Sequence, residues 1–293
     1  VGPRLLAFIA IVFWGVSFVA TRVALRHVSP ITLVVTRFAL GLLLLNAILL
    51  LRGGPLIPPR GRWRMLAILG FVGIFVHMLL QAYALTTTTA VRTGWLIGII
   101  PIWSSLLAAI FLREKFGPWK LSGLILGFLG AVVVVTRGRL STEFLGLPST
   151  RGDLLVLAST MTWAIYTVIG QETIRGLGSL RTTAGAMLFG WIMLVPFFVA
   201  RHGWTELAAV PPPGWGAILF LGLGCSGLAY WFWYSALGRV ETSRVAVFLY
   251  LEPLVTVAAA VPLLGETVSA STIVGGAMVL AGVALVQRGG ARA

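Results

Sequence analysis

Apolar residues in this chain fall in blocks of about twenty, separated by short runs rich in proline, glycine and arginine. A helix rising about 1.5 Å per residue needs roughly 20 apolar positions to cross a bilayer core. That window predicts ten spans, at 5–25, 31–51, 63–84, 89–111, 118–136, 153–171, 181–200, 213–235, 242–263 and 269–287. The breaks carry loop chemistry: Ser29–Pro30, Gly53–Gly54–Pro55, Pro58–Pro59, Gly117–Pro118 and Pro211–Pro212–Pro213. The pattern predicts an all-α integral membrane fold.

The blocks also repeat. Arg92, Pro101, Glu114, Gly123 and Gly130 recur as Arg244, Pro253, Glu266, Gly275 and Gly282, each 152 positions on. Ala84–Leu85 and Ala236–Leu237 keep the same step, as do Leu112 and Leu264. Phe13–Trp14 resembles Thr162–Trp163 at a step of 149. The expected organisation is a first five-helix repeat at 1–137, a linker at 138–152 and a second repeat at 153–293. Five spans is an odd number, so the second copy is expected to enter the membrane inverted. Many transporters place a substrate site where two such copies meet.

Composition narrows the class. The chain is 58% hydrophobic and 10% charged, with a mean hydropathy of +0.99, whereas soluble domains carry about a quarter charged residues. The net charge of +14 would point to nucleic acid in a soluble protein. Here the positive residues sit in short loops, where they set orientation and meet anionic headgroups, so no nucleic-acid partner is expected. Thirteen Lys and Arg fall on the side of the N-terminus and six on the other, which predicts N-in and C-in topology in the cytoplasmic (inner) membrane. The first apolar stretch is long enough to span and lacks a small-residue cleavage site, so it reads as a span. One cysteine, Cys225, leaves no internal disulfide or cysteine metal cluster. Without a Walker loop, dinucleotide fingerprint, HExxH or nucleophile elbow, no cofactor is predicted.

Several residues within the spans are candidates for chemistry. Pro101 and Pro253, near the middles of spans four and nine, are expected to kink them. Glu252 lies near the midplane, where a carboxylate needs water, a partner or a proton, and its repeat counterpart is the apolar Ile100. Contact with a substrate amine and proton coupling are both open to it. Arg92 and Arg244, at the starts of spans four and nine, are expected on opposite faces, either as gate-side cations or snorkelling to headgroups. Arg37 reads as a structural anchor, and Glu114 and Glu266 as caps on the helices that follow them. His77 and Gln81 share one helix face. Tyr230, Trp231, Trp233 and Tyr234 crowd the end of span eight, where half or more of the rings are expected in the interfacial belt. Trp14, Trp95, Trp103 and Trp163 lie well inside spans. Gly94, Gly98, Gly123 and Gly127 form small-residue faces for close helix approach. The predicted central cavity comprises Trp163, His77, Gln81, Tyr234, Glu252, Trp14, Tyr230 and Trp103, with Arg92, Arg244, Pro101 and Pro253 gating it.

Phe13–Trp14–Gly15–Val16–Ser17–Phe18, Thr36–Arg37–Phe38, Pro101 with Leu112–Arg113–Glu114, and Leu251–Glu252–Pro253 with Leu264–Gly265–Glu266 together resemble the EamA-type branch of the drug/metabolite transporter superfamily. The resemblance covers nearly the whole chain and is closest to bacterial amino-acid exporters. It implies export or exchange of small metabolites, often amino acids, through a central cavity built by both halves. The expected partners are therefore a small-molecule substrate and the lipid bilayer, with protons as an open option. The alternative within transport is exchange of sugar phosphates or nucleotide sugars. A membrane-embedded lipid-modifying enzyme is disfavoured, because the eight acids and three histidines are dispersed.

Overall fold

The structure, a computed structural model, describes residues 2–112, 117–138, 147–239 and 247–290. Glu114 and Arg244 lie outside the described residues. Seven helices are long and apolar enough to cross a membrane: α1 (Pro3–Ala24), α2 (Pro30–Leu51), α3 (Arg60–Ala84), α6 (Pro118–Thr136), α7 (Pro148–Leu177), α8 (Ser179–Ala200) and α10 (Pro212–Leu237). Between α3 and α6 run the shorter α4 (Ala90–Ile97) and α5 (Ile100–Leu112), and α9 (Gly203–Ala208) is a single short element before α10. The chain closes with α11 (Glu252–Leu264) and α12 (Ala270–Gly290). No strand occurs among the described residues.

Local chemistry explains the ends. Helices α1, α2, α6, α7 and α10 begin with proline, whose fixed φ suits the first turn and whose missing N–H would have no partner there. Ser29 caps α2 by accepting from the Thr32 N–H at 3.4 Å, and Thr89 caps α4 by accepting from the Arg92 N–H at 3.2 Å.

The expected fourth span is interrupted. Helix α4 stops at Ile97, and α5 starts after the Gly98–Ile99 step, which places Pro101 at its second residue. Pro253 is likewise the second residue of α11, preceded by a 3-10 turn over Val247–Leu251. The mid-helix kinks expected at both prolines are thus corrected to helix starts, where proline costs no hydrogen bond. Ile100 and Glu252, the first residues of α5 and α11, are repeat counterparts. Helices α3 and α10 each contain a π-helical stretch, at Gly70–Val76 and Phe220–Ala229, which also coincide at the 152-residue step.

Close backbone approach joins the halves. A Cβ on Gly123 of α6 would stand 2.4 Å from the Gly282 carbonyl oxygen of α12, and one on Gly130 would stand 2.5 Å from that of Gly275. Ascending α6 therefore means descending α12, so the two helices run antiparallel. Elsewhere Gly15 of α1 abuts Val255 of α11, Gly41 of α2 abuts Ser226 of α10, and Gly70 of α3 abuts Ala186 of α8. Elements from both halves interleave around one core. The outward side chains are apolar, among them Leu43, Leu51 and Leu263, as a lipid-facing surface requires.

Candidate functional site

A cavity of about 40 Å3 lies at the centre of the interleaved helices. Trp14, Ser17 and Phe18 of α1, Arg37 of α2 and His77, Met78 and Gln81 of α3 form part of its wall. Ile97, Ile100, Trp163 of α7, Tyr230 of α10, Leu249 and Glu252 complete it. The volume holds roughly three waters and is far below the roughly 300–1,000 Å3 of a ligand-filled pocket.

The polar wall is built by specific backbone devices. In α10 the π-helical stretch frees the Cys225 carbonyl, which accepts from Trp14 Nε1 at 3.2 Å, and presents Ser226 Oγ, which accepts from Arg37 Nε at 2.9 Å. The remaining guanidinium nitrogens of Arg37 face no described acid, and the Glu252 carboxylate has neither ion pair nor hydrogen bond among the described residues. Both side chains are buried, at 6% and 4% exposure, and both line this one cavity. His77 Nδ1 lies 2.9 Å from the Ser159 carbonyl, which can only accept, so Nδ1 carries the proton and a neutral ring leaves Nε2 as an acceptor. The buried Tyr230 hydroxyl has no hydrogen-bond partner among the described residues.

Aromatic rings pack together on the side of the cavity toward the face where α1 begins. Trp14, Trp163 and Tyr230 meet mutually edge-to-face with centroids 5.4–5.6 Å apart. One turn further along α7 and α10, Tyr166 and Tyr234 pack edge-to-face at 5.8 Å. Each such pair contributes about 0.5–1.5 kcal/mol beyond its area burial.

Polar groups cluster toward the opposite face, where α1 ends and α4 and α7 begin. Arg92 is ion-paired with Asp153 of α7 and also donates to the Val135 carbonyl at 3.2 Å. Thr88 Oγ1 donates to the same Asp153. Glu266 accepts from the Ala90 and Val91 N–H groups at 2.9 Å each, and its carboxylate lies 4.0 Å from Arg22 Nε. Arg22 in turn donates to the Leu85 and Thr88 carbonyls. The expected target of the Glu266 cap is therefore corrected: it satisfies the exposed donors of α4 in the first half, not those of α12.

Six of the eight expected cavity residues, Trp14, His77, Gln81, Trp163, Tyr230 and Glu252, line the cavity together. Tyr234 does not, because it sits one turn past Tyr230 and packs against Tyr166. Trp103 points elsewhere, donating to Thr160 Oγ1 at 3.0 Å with its ring edge-on to Phe128. Arg92 is buried and paired, so it neither snorkels nor stands free at a mouth. The interfacial belt expected at Tyr230, Trp233 and Tyr234 is corrected too, since all three are buried at 1–2% exposure. Sequence reasoning missed Asp153 and placed Arg37 outside the cavity. An acid early in an apolar helix was the available signal for Asp153.

A bundle of membrane-length helices around a small cavity lined by both polar and apolar side chains defines a multi-pass membrane transporter. The chain belongs to the EamA-like transporter family, whose profile matches residues 3–136 and again 150–288. It is 32% identical to an uncharacterised transporter of Archaeoglobus fulgidus, over 96% of each chain. It is 28% identical to a probable terminal-alkyne amino-acid exporter of Streptantibioticus cattleyicolor, over 96% of this chain and 91% of that one. A probable amino-acid metabolite efflux pump of Salmonella typhimurium is 25% identical over 95% and 92%. A solved crystal structure superposes with a TM-score of 0.68 over 97% of both chains at 22% identity, which establishes a shared fold.

Proposed function

We propose that this protein carries zwitterionic amino acids across the membrane by alternating access. The observation that carries the reading is the pair of opposite charges in one cavity: Arg37 suits a carboxylate and Glu252 an ammonium group. Neither has a described ion-pair partner, and a buried charge of either sign is costly until something neutralises it. The hydroxyl of Tyr230 and Nε2 of His77 add free polar positions, and the Trp14–Trp163–Tyr230 rings supply an apolar wall for a side chain. Two relatives bear names that include amino-acid export or efflux, in keeping with this assignment.

In this reading ten spans form two inverted five-helix repeats. The antiparallel contact of α6 with α12 supports the inversion, because Gly123 meets the counterpart of Gly130 while Gly130 meets the counterpart of Gly123. That reciprocity is the mark of a two-fold axis. The matched π-helical stretches and matched starts at Ile100 and Glu252 support it further. Exchange of conformations between the repeats would open the cavity to one side and then the other. In this reading the Arg92–Asp153 and Glu266 contacts are the gate on one side and the aromatic layer the gate on the other. Sugar phosphates fit less well, since a strongly anionic ligand would face Glu252 with Arg37 as the one cation among the described residues of the cavity wall.

Uptake of labelled amino acids into proteoliposomes tests the reading. Saturable movement of at least one amino acid, competed by other amino acids, is the expected result. No movement of any of them by folded protein rejects the substrate class.

A further inference from the structure

A second and larger hollow, of about 840 Å3, opens at the face where α1 begins. It is bounded by the ends of α2, α7 and α10 and the start of α8, and Arg52, Arg175, Arg181 and Arg239 line it. An excess of arginine on one face is explained by membrane orientation. Convergence of four on a single concavity, from three separate stretches of chain, is not. None of the four forms an ion pair with a described residue, and no acid is among the described residues lining the hollow. Arg52 instead stacks over the Trp231 ring at 4.8 Å.

The position of the hollow separates it from the central cavity. At about 100° per residue, Trp231, Ser235 and Gly238 of the hollow lie on one stripe at the end of α10. Measured from Trp231, Tyr230 and Trp233 lie more than a quarter-turn round and Tyr234 about 60° round, and all three are buried in the core. The hollow and the central cavity share no lining residue. Leu6, Leu49, Trp231 and Phe232 give it an apolar side, alongside the polar Ser179 and Ser235, and the neighbouring Leu50 and Leu51 are 60% and 88% exposed. A cationic recess at headgroup depth, continuous with an apolar flank, matches a phosphate group carried on acyl chains.

We infer that this hollow binds the phosphate headgroup of an anionic phospholipid from the adjoining leaflet. Guanidinium forks grip the phosphate oxygens while the glycerol and upper acyl carbons lie along Leu49, Trp231 and Phe232. The inference is independent of which solute the central cavity takes.

The test titrates the purified full-length protein in detergent with short-chain phosphatidylglycerol, and separately with phosphatidylcholine, inorganic phosphate and glycerol phosphate. Thermal unfolding and native mass spectrometry provide the readouts. Phosphatidylglycerol is expected to raise the unfolding temperature saturably and to remain as a one-to-one adduct, with phosphatidylcholine far weaker. The combined variant Arg175→Gln, Arg181→Gln and Arg239→Gln is expected to weaken that binding by about tenfold or more, and the same three changes to Lys are expected to retain most of it. Should the Gln variant not fold, raising salt over the wild type gives the same answer, because binding carried by these charges weakens with salt. Equal response to both lipids, unaltered binding in the Gln variant or salt-insensitive binding would overturn the inference. An equal response to free phosphate or glycerol phosphate would overturn the lipid assignment and make the hollow a soluble-anion site.

Discussion

Gly123 of α6 and Gly282 of α12 meet with so little clearance that a Cβ on the first would stand 2.4 Å from the carbonyl oxygen of the second. Gly123→Leu must therefore spread the two helices. The expected loss is about 1–3 kcal/mol, as for other overpacked contacts, read as a lowered thermal midpoint in detergent. Gly216→Ala, where nothing lies within 4 Å of the new carbon, serves as the control and should leave the midpoint within about 0.5 kcal/mol of wild type.

Arg92 and Asp153 form a buried ion pair that also engages Thr88 and the Val135 carbonyl. Asp153→Asn and Arg92→Gln should each cost about 3–5 kcal/mol, because each strands a buried partner. The double variant should cost clearly less than the two combined. Additive losses in a double-mutant cycle would show that the two side chains act independently.

Glu266 holds the first turn of α4 shut against α1 through the Ala90 and Val91 N–H groups. Glu266→Ala should remove about 0.5–2 kcal/mol of capping energy and shift the protein toward opening at that face. A cysteine introduced at Gln81 in a Cys225→Ala background reports this by labelling. Faster labelling from the face where α1 ends is expected, and an unchanged rate would remove Glu266 from the gate.

Most spans were legible because block length alone marks them: the expected 118–136 coincides with α6, and 31–51 differs from α2 by one residue. The broken fourth span was not, since hydropathy reads composition and does not see a backbone interruption at Gly98–Ile99. The π-helical stretches are invisible for the same reason, and they provide the groups that orient Trp14 and Arg37. Arg37 read as an anchor because its lack of an acid partner appears only once the helices are assembled. Tyr234 and Trp103 were misplaced because an aromatic residue inside a span shows its depth but not its direction. The repeat step was the one long-range fact available in the sequence; it marked Gly123 and Gly130 as recurring at Gly275 and Gly282 but not that they meet crosswise.

Glu252 is also the acid best placed to exchange protons with a solute in the cavity. If it does, Glu252→Gln should abolish acceleration of transport by an imposed pH gradient while leaving counterflow of internal and external solute measurable. Gradient dependence equal to wild type would exclude Glu252 as the proton carrier.

The central claim is that Arg37 and Glu252 together recognise a zwitterion. Inhibition of amino-acid uptake in proteoliposomes, by an intact amino acid, its decarboxylated amine and its N-acetylated acid, tests this most directly. The intact amino acid should inhibit wild type at least about tenfold better than either analogue, the loss of one charge-assisted contact costing about 1.5–3 kcal/mol. Arg37→Gln should erase the advantage over the amine and Glu252→Gln the advantage over the acid. Equal inhibition by all three compounds, or the same discrimination in both variants, would contradict it.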